Sequence, residues 1–264
     1  MLTSLIIGSF MRPDLLKLGL WSITQQHIKR DLEIIVLNDG LEDDTEKICN
    51  VYKNILNLRY IFTGQRNTKE KMVHRDSGFA MNIGVKQAKG DIIILAGAEM
   101  YHLNNTINLI INPLIDNKKI LSVPEIIYFD DTGNTVNYLS INPTINLPED
   151  LLNEIKQSRE NRRASLMPFF MGMYKKHFIN IGGYDEDFVG SAGDDNDFVN
   201  RLLLKGLTYN TTNAEMIHLY HGKRCDSRQH WNNPKWVYNY NLSLVRKDKI
   251  IRNENREWGK ICGI

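Results

Sequence analysis

The sequence predicts an α/β fold, a mostly parallel central sheet flanked by helices, with a C-terminal extension. Two observations predict it. Short apolar runs in the first hundred residues are each followed by a stretch whose apolar residues recur at helical spacing, the pattern of a parallel sheet covered on both faces. None of those runs approaches the roughly eighteen residues needed to span a bilayer, so they read as buried strands.

Leu5 to Phe10 is the first strand, and after Pro13 the residues Leu15, Leu16, Leu18, Leu20, Trp21 and Ile23 mark a helix. Glu33 to Leu37 is the second strand, closed by the turn signal Asn38-Asp39-Gly40. The acidic run Glu42 to Glu46 opens the next helix, where negative charge suits the N-terminal dipole. Asn57 to Phe62 is a shorter strand. Gly78 to Lys89 is helical, with Ala80, Gly84 and Ala88 along one small-residue face, and Gly90 ends it before the strand Asp91 to Leu95. Ligands of such sheets bind beyond the carboxyl ends of the strands. That gathers Ser9 to Arg12, Asn38-Asp39 and Gly97 to Glu99 on one rim.

Beyond residue 120 the pattern loosens. Ile120 to Val123 and Ile126 to Phe129 read as two strands, and Asp130 to Asn134 as a hairpin-type turn. Asn137 to Ser165 is a polar insertion with a helix near Glu149 to Ser158, of the kind that binds substrate or moves. The tail from Cys225 carries Trp231, Trp236, Tyr238 and Tyr240, expected to pack on the core. There is no internal repeat, so the simplest organisation is one domain over residues 1–222 and an extension over 223–264.

A net charge of +2 points to neither nucleic acid nor an anionic surface as partner. Cys49, Cys225 and Cys262 are scattered and odd in number, which favours a reducing compartment over a disulfide framework. The N-terminal apolar run has no basic region before it, so no signal peptide is expected. With no transmembrane segment, the expected location is cytoplasmic, with peripheral membrane association compatible. There is no G-x-G-x-x-G turn and no G-x-x-x-x-G-K-[ST] loop, which argues against dinucleotide dehydrogenases and P-loop enzymes.

The densest chemical signal is Phe188 to Phe198, FVGSAGDDNDF, where Gly190 and Gly193 lead into Asp194, Asp195 and Asp197. Such carboxylates can simply cap a helix. Held this close after a glycine-rich loop, they also suit a general base and its partner.

The segment Lys176 to Gly206 resembles the C-terminal catalytic block of inverting GT-A glycosyltransferases, the family 2 type with a galactosyltransferase-like block. Gly182, Gly183, Tyr184, Asp185, Glu186 and Phe188 match F-x-x-x-G-G-[FY]-D-E-x-[FY]. Gly190, Gly193, Asp195 and Asp197 match G-W-G-G-E-D-x-D, with Asp194 for the glutamate and Ser191-Ala192 for the Trp-Gly pair. SLIIGSFMRPDLL, EIIVLNDG and RDSGFAMNIGVKQAKGDIII resemble the family's N-terminal motifs. The resemblance implies a Rossmann-like GT-A fold, with residues 1–100 the nucleotide-binding half and 101–222 the acceptor and catalytic half. It also implies transfer of a hexose or N-acetylhexosamine from a nucleotide sugar, with UDP the expected nucleotide, to a hydroxyl on a glycan, lipid-linked or protein acceptor. Asp195 would be the general base and Asp194 its acceptor-orienting neighbour. Ser9, Arg12, Asp39, Arg75, Asn82, Gly97 and Gly172 would line the donor site.

These families carry D-x-D after the fourth strand, whereas this chain reads Gly97-Ala98-Glu99. Glu99 stands for the last aspartate and supplies a hard oxygen for Mn2+ or Mg2+, with His221 of the IHLYH segment as second ligand and His218 as the less favoured candidate. Gly97 has no carboxylate. A nucleotide-sugar-binding protein with impaired catalysis is therefore the alternative.

Overall fold

The computed structural model describes residues 1–40, 42–64, 77–158, 161, 166–188, 193–222 and 249–261. The elements run β1 (Thr3–Ser9), α1 (Pro13–Thr24), β2 (Leu32–Asn38), α2 (Thr45–Tyr52), β3 (Leu58–Phe62), α3 (Ser77–Gln87), β4 (Ile92–Gly97) and β5 (Met100–His102). There follow α4 (Thr106–Asp116), β6 (Ile120–Phe129), α5 (Asn134–Ile141), α6 (Glu149–Lys156), β7 (Phe170–Tyr174), α7 (Lys175–Asn180), α8 (Asp194–Leu204) and β8 (Thr208–His218).

Strand alternation sorts the core into two layers, because successive side chains leave a strand on opposite faces. Leu5, Ile7, Ile34, Val36, Ile92 and Ile94 pack with Leu16 and Leu20 of α1 and Ile107 and Ile110 of α4. Their neighbours Ile6, Ile35, Leu37, Ile93 and Leu95 pack on the other side with Ile83 of α3, Phe178 of α7, and Phe198 and Leu202 of α8. The sheet thus carries helices on both faces, as continuous apolar strands require.

The eight strands form one sheet in the order β3-β2-β1-β4-β7-β6-β8-β5. β1 is parallel to both β2 and β4, and β2 is parallel to β3. β7 runs antiparallel to β4 and to β6, and β5 antiparallel to β8, while β6 and β8 are parallel. The sheet is therefore mixed. Strict strand–helix alternation, which demands parallel crossovers, holds only as far as β4; beyond it strands join by other routes.

Two local expectations change. Residues 120–129 form a single strand, with its register shifted against β8 between Pro124 and Ile126. Proline cannot donate to a ladder and is tolerated at such an irregularity. Asp130 to Asn134 starts a helix instead of closing a hairpin. Asp130 accepts from the backbone N–H of Gly133 at 2.9 Å and of Val136 at 3.0 Å, fixing the first turn of α5. Among the described residues, no helix is long and apolar enough to cross a membrane.

Candidate functional site

The carboxyl ends of β1, β2 and β4 meet as the pairing predicts. Ser9 lies beside Asn38, and Gly8 beside Gly97. Asp39 N–H donates to Ser9 O at 2.8 Å, and Ala98 N–H donates to Gly8 O at 3.0 Å, so the three strand ends are tied together. Ser9 Oγ is 3.3 Å from Thr45 Oγ1 of α2, and the Asp39 carboxylate accepts from Thr63 Oγ1 at 3.3 Å. Both residues are buried.

Glu99 is the centre of the rim. It sits on the tight turn between β4 and β5, and its backbone carbonyl accepts from Leu219 N–H at 2.9 Å, just past the end of β8. That bond draws the β8 terminus over the turn. His218 Nε2 then lies 3.5 Å from Glu99 Oε1, and Arg12 Nη1 lies 2.9 Å from Glu99 Oε2. Arg12 Nη2 is 3.4 Å from His221 Nδ1. The His218 ring is held face-on by Phe129 at 4.5 Å between centroids and edge-on by Phe169 at 5.3 Å. Burial on its own would raise the Glu99 carboxyl; Arg12 and His218 outweigh it and hold the group well below the usual carboxylate range.

One carboxylate oxygen and two imidazole nitrogens, from Glu99, His218 and His221, all lie within 4.8 Å of one another. Hard oxygen with imidazole nitrogen suits a divalent ion. Glu99 Oε2 is also buried without accepting a well-aligned hydrogen bond among the described residues, despite its ion pair with Arg12. These residues fit a metal. Gly97 contributes by having no side chain: a Cβ there would come within 2.8 Å of Glu99 Cδ and Oε1. The Glu99 carboxylate folds back over the position from which an aspartate side chain would otherwise start, so glycine at 97 and the longer acid at 99 are matched to each other.

The second constellation is the start of α8. Gly193 precedes it in the left-handed region, φ 89, and places Asp194, Asp195 and Asp197 in the first turn. Carboxylates are favoured at a helix N-terminus, and here the N-cap position is Gly193, which has no side chain to cap it. The three acids diverge. Asp197 is buried against Arg201 Nε at 2.6 Å and Arg252 Nη2 at 3.1 Å. Asp194 is buried, whereas Asp195 is half-buried and accepts from Tyr184 OH at 3.0 Å.

Tyr184 is itself held on every side. Its ring stacks on Phe198 at 4.1 Å and 8° between planes. Its backbone N–H donates to Asn82 Oδ1, and its carbonyl accepts from Asn82 Nδ2 and Asn253 Nδ2. Gly182 and Gly183 precede it with φ of +75 and +67, a region that side chains resist. At Gly182 a Cβ would lie 2.0 Å from Arg252 O, so the segment 249–261 approaches closely because glycine is there. Arg201 Nη1 donates to the carbonyls of Ile181 and Gly183, and Asn253 Nδ2 to that of Gly182.

Two expected donor-site residues make other contacts. Asn82 is fully buried, and its amide is engaged by Tyr184 and by Glu186 Oε1, so it clamps α3 to the loop before α8. Gly172 lies mid-strand in β7, where a Cβ would meet Ile110 of α4 at 2.5 Å, so its lack of a side chain serves core packing. Arg75 lies outside the described residues. His218, read as the lesser candidate, joins His221 at Glu99. Tyr184, Arg201 and Arg252 received no role from the sequence, although Asp197 and Arg201 have the i,i+4 spacing of a helical ion pair. Cys49 is buried with its thiol pushed up to about 12, chiefly by burial, which removes it as a nucleophile.

Residues 4–182 match the family described as Glycosyl transferase family 2, and residues 159–223 match that described as N-terminal domain of galactosyltransferase. The first match covers more than half of the chain, and the chain belongs to glycosyl transferase family 2. It has the GT-A fold, and it spans less than two thirds of the length of each relative named below. Hyaluronan synthase of Pasteurella multocida is 32% identical over 101 residues, which is 37% of this chain and 9% of that protein. Among solved structures, S. aureus TarS in complex with UDP-GlcNAc is similar with TM-score 0.60 and 16% identity, over 93% of this chain and 65% of that one. A mannosyltransferase from Pyrobaculum calidifontis in complex with GDP-Man and Mn2+ gives 0.57 and 15%, over 86% and 59%. GalNAc-T7 with UDP, GalNAc and Mn2+ gives 0.58 and 16%, over 83% and 44%.

Proposed function

We propose that the chain moves a hexose or N-acetylhexosamine from a nucleotide sugar, with UDP as the nucleotide, to a hydroxyl acceptor by a single displacement that inverts the anomeric carbon. The observation that carries this reading is Asp195: a half-buried carboxylate at a helix N-terminus, oriented by Tyr184. Asp195 takes the proton of the acceptor hydroxyl as its oxygen bonds to the anomeric carbon. The bond from that carbon to the diphosphate oxygen breaks on the opposite side, and the nucleoside diphosphate leaves. Asp194 orients the acceptor. Ser9, Arg12 and Asp39, at the ends of β1 and β2, face the nucleotide end of the donor.

A divalent ion held by Glu99, His218 and His221 would neutralise charge growing on the leaving diphosphate. The similarity to proteins solved with UDP-GlcNAc, and with UDP and Mn2+, supports both donor class and metal. Gly97, which lacks a carboxylate, supports the second reading, a donor-binding protein with impaired catalysis. Release of UDP from UDP-GlcNAc and other UDP-sugars, with and without Mn2+, separates them. The proposal expects UDP release that saturates with donor and rises with Mn2+. Saturable binding without release across the panel would establish the binder instead.

A further inference from the structure

Arg12 occupies a position that helix chemistry does not explain. It is the residue preceding α1, where Ser, Thr, Asp or Asn would supply a capping oxygen, and it makes no capping hydrogen bond. The residue before it, Met11, is held at φ 55, a left-handed conformation that a side-chain-bearing residue resists. Pro13 then locks the first helical position. This turn aims Arg12 inward: its side chain is 20% exposed, and its two terminal nitrogens reach Glu99 Oε2 at 2.9 Å and His221 Nδ1 at 3.4 Å. Those are two of the three donor residues gathered at the rim.

We propose that Arg12 is a resident cation of this centre, competing with a divalent ion for Glu99 and His221. The inference rests on the reading that Glu99, His218 and His221 take a metal. Two geometric facts carry it. A guanidinium presents paired donors in a fixed fork, and here the fork spans the carboxylate and one imidazole. A metal ligand must direct its lone pair at the ion, and Arg12 lies against Oε2 of Glu99 and Nδ1 of His221, two residues whose ligand atoms lie within 4.8 Å of each other and of His218. Two cations cannot share those atoms at contact distance without strong repulsion. Arg12 therefore keeps the buried Glu99 carboxylate paired before metal arrives. Once displaced, it carries a fork suited to phosphate oxygens on the same rim.

The test is Mn2+ binding without nucleotide, followed by calorimetry and by the electron paramagnetic resonance signal of free Mn2+, on the full chain and on Arg12→Gln. The expected result is Mn2+ affinity about tenfold or more higher in the variant. Arg12→Lys, which keeps a charge but loses the fork, is expected in between, and it serves as the measurement if Arg12→Gln does not fold. Equal or weaker binding in the variants overturns the competition while leaving the metal centre standing. No Mn2+ binding by any form, even with UDP present, overturns both the competition and the metal centre.

Discussion

Asp195→Asn is expected to lower the transfer rate by about a thousandfold while leaving donor affinity unchanged, within the range that loss of a general base produces. The substitution keeps the size and shape of the side chain, and the asparagine carbonyl can still accept from Tyr184 OH, now 3.0 Å from Asp195 Oδ1. What disappears is the ability to hold a proton taken from the acceptor. The rim groups Arg12, Glu99, His218 and His221 are held by other elements, so binding of UDP with Mn2+, if it occurs there as proposed, should persist. Steady-state rates beside donor calorimetry check this. Near-normal transfer by a folded variant would remove Asp195 from the mechanism.

The largest stability effect is expected at Asp197. Its carboxylate is 2% exposed and pairs with two arginines, Arg201 and Arg252, themselves 1% and 5% exposed. Removing one partner of a buried pair strands the other charge, at a cost of about 3–5 kcal/mol. Asp197→Ala should thus lower Tm by about 10 °C, taking roughly 2–4 °C per kcal/mol for a chain of this size. The damage would also reach the candidate base. Arg201 holds the carbonyls of Ile181 and Gly183, and the backbone N–H of Arg252 donates to Ile181 O, all immediately before Tyr184. Thermal melts and limited proteolysis of residues 249–261 read both effects. A shift below about 2 °C would mean that the network contributes little.

Much of the fold is legible in local pattern. Leu5, Ile6 and Ile7, like Ile34, Ile35 and Val36, are apolar on both sides, which only a sheet covered twice can satisfy. Strand direction beyond β4 is not legible, because an apolar run such as Phe170–Tyr174 reads the same in either direction. At the candidate site, Asp195 and Glu99 are legible from motif spacing. Arg12 against Glu99 is not, because the contact depends on how β1 and β4 pair and on the Met11 turn. His218 reads as the less favoured ligand because a strand histidine is usually packed, and it is packed, between Phe129 and Phe169; the same packing presents its Nε2 to Glu99. Asn82 misleads for the opposite reason. Its motif points to the donor, while its amide is taken by Tyr184, a residue distant in sequence. Arg252 and Asn253 lie in a polar stretch with no periodicity, so only the tertiary structure shows them bracing the Gly182-Gly183-Tyr184 turn.

The most direct test of the account is the anomeric configuration of the first-formed product. Proton NMR of UDP-GlcNAc, or of whichever UDP-sugar is turned over, can follow the anomeric coupling before the free sugar mutarotates, with water or a glycan hydroxyl as acceptor. A single displacement aided by Asp195 predicts that an α-linked donor yields the β product first. Initial appearance of the α product would contradict it.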